Sequence, residues 1–164
     1  MKQFTGILSI GILLGAVLMA SWAGSPAVAA EGKMAIEMRL KLMKGGVLKN
    51  FLYVKKFVKD GKGSAAGVAA HASLLNDAST QIVARFPKGS GRGDFDEKTT
   101  RALPKIWENW RGFQAAAMRL TEESATLARI AAGGDKDAIA KQFGRMGKLG
   151  CGGCHKLFRG AKVK

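Results

Sequence analysis

Five residues near the end of the chain, Cys151-Gly152-Gly153-Cys154-His155, restrict the fold more than any other stretch. C-x-x-C-H is the attachment pattern of a c-type haem: two thiols add to the porphyrin vinyl groups, and the adjoining His offers an axial nitrogen to iron. The spacing suits a helix, on which residues three and four apart share a face. Cys151 and Cys154 can then reach two edges of one macrocycle while His155, one turn on from Cys151, points at its metal. A thioredoxin-like redox pair would want a βαβ surrounding, and a zinc site would want two more ligands. The chain has no alternating strand pattern, and it offers only these two Cys and one other His, His71. One covalent haem c, with its iron, is the expected cofactor.

The remaining segments read as helices. From Met34 to about Lys59, Ile36, Leu40, Met43, Val47, Phe51, Val54 and Val58 step by four and three, the stripe of an amphipathic helix facing a core. Gly45-Gly46 interrupts it at about 1 kcal/mol per Gly against Ala, which calls for something bulky near the backbone or for a kink. Asp60 to Ser64 is a turn with Ser64 as N-cap. A second helix follows from about Ala65 to Phe86, with Val68, Leu74, Leu75, Ile82, Val83 and Phe86, and Pro87 ends it. Residues 87 to 103 form a Gly-rich connection, longer than most helix-helix links. Pro104 opens a third helix to about Ala132, carrying Ile106, Trp107, Trp110, Phe113, Leu120, Leu127 and Ile130. Gly133-Gly134 closes it, and Asp135 or Asp137 opens a fourth, which carries Ile139, Phe143, Met146 and the C-x-x-C-H. Gly147, Gly150, Gly152 and Gly153 crowd that last helix, where they would let a flat ring lie against the backbone. The expected fold is all-α, an antiparallel four-helix bundle with the haem inside one end.

Residues 1–30 read as an export signal: Lys2, an apolar run from Ile7 to Ala20, and small residues in Ser25-Pro26-Ala27-Val28-Ala29-Ala30. Cleavage after Ala29 or Ala30 leaves one domain over residues 31–164. It removes Lys2 and no acid, which takes the formal charge from +15 to +14. Such an excess steers association toward acidic surfaces. An acidic redox partner fits, and so does peripheral contact with anionic lipid; a merely solvated basic surface is the plainer reading. Nucleic acid is not expected as a partner of an exported chain.

With the C-x-x-C-H on the last of four helices, the chain resembles the class II c-type cytochromes, the cytochrome c prime family. The likeness continues in Cys154-His155-Lys156-Leu157-Phe158-Arg159, with Arg four residues after His. It also continues in Arg85-Phe86-Pro87-Lys88-Gly89-Ser90 and in Ala102-Leu103-Pro104-Lys105-Ile106-Trp107. The resemblance implies haem attachment outside the cytoplasmic membrane, hence a periplasmic location, and dimers through the first two helices as relatives often form. It also implies two branches. In one, an apolar first-helix residue leaves iron five-coordinate and open to NO or CO; in the other, a Met closes the site and the protein carries electrons. The family's position falls in Arg39-Leu40-Lys41-Leu42-Met43-Lys44, at Met43. The expectation is therefore a low-spin electron carrier, not an enzyme, with His155 and Met43 on iron and a gas-binding protein as the alternative. Met43 also lies on the apolar stripe, where Met is a common core filler. Arg159 is a candidate for a haem propionate or for a helix-end charge. Trp107 and Phe113 are expected beside the macrocycle or in the ordinary core.

Overall fold

The computed structural model describes residues 26–163. Most of the expected export signal lies outside them, although Ala27 to Ala30 already belong to the first helix. That helix, α1 (Pro26–Lys41), passes through a π-helical segment, Leu42–Leu48, into α2 (Lys49–Asp60). Right-handed helical backbone at both junctions makes this one continuous rod. Gly61 ends it in the left-handed region at φ 66°, and its N–H bonds back to the Lys56 and Phe57 carbonyls. Ser64 then caps α3 (Ala65–Thr80), its side chain accepting from Gly67 N–H. A 3-10 turn, Val83–Arg85, ends the second rod short of Phe86.

After an irregular crossing, Pro104 starts a single turn, α4 (Lys105–Glu108). The expected third helix is broken here. Asn109 leaves helical geometry at φ −123°, ψ 58°, and its side chain caps α5 (Trp110–Ala132) by accepting from Gly112 N–H. Asp135 caps α6 (Lys136–Arg145). A second π segment, Met146–Cys151, leads into α7 (Gly152–Phe158). Four rods joined by two short turns and one long crossing form the bundle: α3 lies on α5 and α2, and α5 lies on α6 and the second π segment. No β-strand occurs among the described residues, and no helix among them is long and apolar enough to cross a membrane.

The core runs along the bundle through Val54, Val68, Leu75, Ile106, Leu127, Ile139 and Met146. At one end it becomes aromatic. Phe113 lies 4.7 Å from Phe86, 5.5 Å from Trp110 and 5.5 Å edge-on from Phe158. Phe158 follows the C-x-x-C-H by three residues, so this cluster fastens the motif to the rods.

Two features of the stripe differ from expectation. Leu40 is 45% exposed, while Arg39 beside it is buried; Leu74 on α3 also faces water. The Gly45-Gly46 interruption has its reason in helix packing. A Cβ on Gly46 would stand 2.8 Å from that of Ala78, whereas Gly45 has nothing within 4 Å. Gly150 does the same against Leu120, so of the four late glycines this one serves packing.

A buried clasp joins α5 to α6. Glu123 accepts from Gln142 Nε2 at 2.8 Å and from Arg145 Nε at 3.0 Å. Gln142 is buried and Arg145 mostly exposed, so Arg145 can return to water while Gln142 cannot. Gln142 Nε2 keeps its 3.0 Å bond to the Glu123 backbone carbonyl, so Glu123→Ala should cost about 1 kcal/mol, mainly through the one buried amide proton left without an acceptor. A urea midpoint unchanged from the unaltered protein would contradict this.

Candidate functional site

Cys151 is the last residue of the second π segment, and Cys154 and His155 lie in α7. The helix is continuous across the junction, with Cys151 at φ −68°, ψ −50°. Local winding therefore does bring the three side chains to one stretch of helix, and all three are half-buried. Both thiols are free. Burial pushes both upward, Cys154 to about 11 with help from the neighbouring Cys151, while Arg159 pulls weakly the other way. Redox-active C-x-x-C thiols show the opposite shift. Among the described residues no group of three or more His, Cys, Asp and Glu comes together, so a structural zinc site has too few ligands.

His155 is shifted in the direction a metal ligand needs. Burial first, then the positive charges of Arg159 and Arg101, pull its pKa down to about 4. The ring is then neutral at ordinary pH and keeps one nitrogen lone pair for a metal or a donor. Arg159 lies beyond the end of α7 on extended backbone, bridged to Ala102, and is exposed. Its Nη1 stands 3.4 Å from His155 Nε2, within reach to donate to that lone pair.

Met43 lies in the first π segment, half-buried and packed against the core cluster that Cys151 and Cys154 also touch. The other described methionines point elsewhere. Met34, Met38 and Met118 are 57%, 43% and 60% exposed, and Met38 sulfur accepts from Arg85 Nη1. Met146 is fully buried on the helix that carries His155. His71 stacks on Tyr53 at 3.8 Å and bonds Asn50 through Nδ1 at 2.7 Å, a local role on α2 and α3. Trp107 donates to the Phe86 carbonyl at 3.1 Å, and Phe113 belongs to the aromatic cluster.

One residue of interest has no counterpart among the sequence expectations. Arg39 is buried, with its guanidinium 4.1 Å over the Phe86 ring, and Nη2 donates to the Ser90 carbonyl and hydroxyl. Burial lowers its pKa to about 10, so it stays charged at neutral pH. Nε and Nη1 have no hydrogen-bond partner. A buried cation with two idle donors calls for an anion, and a haem carboxylate is one. Arg39 precedes Met43 by one helical turn, a spacing visible in the sequence but masked by Leu40 next to it. The donor set thus fits a covalent porphyrin: two protonated thiols, a neutral imidazole, a soft sulfur and an unsatisfied cation.

Comparison with known proteins agrees with that fit. The chain matches the family model described as Cytochrome C' over residues 34–159. A cytochrome c' from Halomonas halodenitrificans is 37% identical over 75 residues, which cover 45% of this chain and 56% of that relative. Cytochrome c-556 from Agrobacterium fabrum is 32% identical over 136 residues, covering 81% of this chain and 84% of the relative. Among solved structures, a nitric oxide complex of a cytochrome c prime variant from Alcaligenes xylosoxidans superposes with a TM-score of 0.68 at 24% identity. It covers 79% of this chain and 97% of that one. The four-helix architecture, the match across residues 34–159 and a C-x-x-C-H on the last rod make this chain a member of the cytochrome c' family, whose cofactor is a covalently bound haem c.

Proposed function

We propose that this protein carries single electrons in the periplasm, with His155 and Met43 as the residues that would hold its haem iron. The haem supplies the one-electron couple; the chain sets its surroundings. His155, kept neutral by burial, offers nitrogen on one side. Met43 offers a thioether, a soft donor that favours the ferrous state and raises the potential. Arg39 would hold a haem carboxylate with its idle Nε and Nη1. Arg159 would give up its 3.4 Å contact with His155 Nε2 to leave that nitrogen for iron. The export signal and the compartment belong to this proposal as well, since residues 1–25 lie outside the described structure.

The observation that carries the reading is the orientation of the methionines. Met43 alone among those described is both directed at the bundle interior and on a rod other than that of His155. A second reading, gas binding at an open distal face, is favoured by the nitric oxide bound in the Alcaligenes xylosoxidans protein.

Carbon monoxide separates the two. If the thioether is off iron about one part in a hundred of the time, Met43→Ala raises the apparent CO affinity of the ferrous protein about a hundredfold. The ferric spectrum should also lose its sulfur-to-iron charge-transfer band. Full, rapid CO binding by the unaltered protein, with no change in Met43→Ala, would instead establish the gas-binding role.

A further inference from the structure

The last acid of the chain is Asp137, and the 27 residues after it hold seven Lys or Arg and no Asp or Glu. Arg145 is engaged with Glu123. Of the others, Lys156 lies in α7 and Arg159 and Lys162 follow it closely, and all three stay beside that helix because the chain end is pinned to the crossing before α4. Leu103 N–H donates to the Phe158 carbonyl, Gly160 N–H to that of Arg101, and Arg101 Nε to that of Gly160 at 2.8 Å. Arg92 Nη2 holds the Ala161 carbonyl. α4, which carries Lys105, packs on α7. Lys105, Lys156, Arg159 and Lys162 are all exposed. The nearby acids are occupied or few: Glu97 pairs with Arg92 at 3.5 Å, Asp94 accepts from Gly91 N–H, and Glu108 ends α4.

Amid these cations stands Leu157, 51% exposed, two residues from His155 and next to buried Phe158. A short helix that has turned Phe158 inward has no internal use for an outward Leu. An apolar centre with a one-signed charged rim is how transient protein interfaces combine steering with a brief desolvated contact. We propose that the exposed face of α7, with Leu157 at its centre and Lys105, Lys156, Arg159 and Lys162 beside it, is where an acidic electron-transfer protein docks. The proposal rests on the electron-carrying reading. It adds the partner's chemistry and the point of approach, the outer face of the helix that carries Cys154 and His155.

The test uses the haem-loaded protein and reduced flavodoxin, an acidic one-electron donor, in stopped-flow mixing across a range of ionic strength. The unaltered protein should react fastest at low salt. Lys156→Glu with Lys162→Glu should slow the reaction about tenfold there and flatten its salt dependence. Leu157→Ser should slow it several-fold while leaving the salt slope intact. Lys59→Glu with Lys136→Glu, at the far end of the bundle, should change it less than twofold. Equal slowing by both charge-reversed pairs would overturn the proposal, since net charge alone would then suffice. So would a shift of the α7 variants only in binding to phosphatidylglycerol vesicles, which would make the face a membrane contact. Lys162→Glu alone lies outside the attachment motif and keeps the test open should Lys156→Glu load haem poorly. Cycling on an electrode judges the underlying reading separately: its absence removes the carrier role, whereas normal cycling with an unaffected flavodoxin rate removes only the docking face.

Discussion

Replacing Cys151 and Cys154 together by Ala should yield a polypeptide whose mass, after unfolding in acid, equals that of the bare chain. In the unaltered protein two thioethers keep the porphyrin on α7 through any unfolding, so haem should co-migrate with the chain on a denaturing gel. Without them, His155 and the Arg39 contact could hold haem only reversibly, and acid protonates the imidazole and releases it. The single replacements should each retain one thioether and with it the haem. Retention of haem by the double variant after unfolding would contradict the assignment of both sulfurs.

The second large effect concerns the aromatic end of the core. Phe113→Ala should destabilise the protein by about 3–5 kcal/mol, the usual range for emptying a buried Phe site, and lower the thermal midpoint by about 10 °C or more. Phe113 is fully buried and touches three other rings, one of them Phe158 from α7. The loss should therefore reach the His155 turn, and faster hydrogen exchange over residues 152–158 is expected in the variant. Leu74→Ala provides the contrast: that Leu faces water despite its place on an apolar stripe, and its removal should change stability by no more than about 0.5 kcal/mol. Similar midpoints for the two variants would show that Phe113 does not organise this end.

Much of this was readable from residue type and spacing. Ser64, Pro104 and Asp135 announce helix starts because capping is local chemistry, and Gly61 announces a stop for the same reason. Cys151, Cys154 and His155 are read from three positions in one turn. What escaped depends on distant parts of the chain. Arg39 is buried only because Ser90, fifty-one residues away, supplies acceptors and Phe86 supplies a ring. Leu40, a better core residue by type, is pushed outward by that choice. Gly46 is read as an interruption until Ala78 is seen across from it. Asn109 breaks the third helix with a capping bond that suits an N-terminus, in a place where apolar periodicity runs on undisturbed. The site shows the same division: the motif on α7 is contiguous, while Arg39 and the exposure of Leu157 became visible only with the rods assembled.

The two π segments carry a consequence for the family's sequence history. Each holds one residue more than an α-helix of equal rise, and each contains a residue proposed to meet the haem, Met43 in one and Cys151 in the other. A single-codon deletion within 42–48 could be absorbed on the spot, leaving Ile36 and Phe57 in phase with the rest of the molecule. The same deletion within Ala65–Thr80 would turn every later side chain of that helix by about 100°. Length variation among relatives is therefore expected to gather at these two swellings, where chain can be gained or lost without re-aiming the rods.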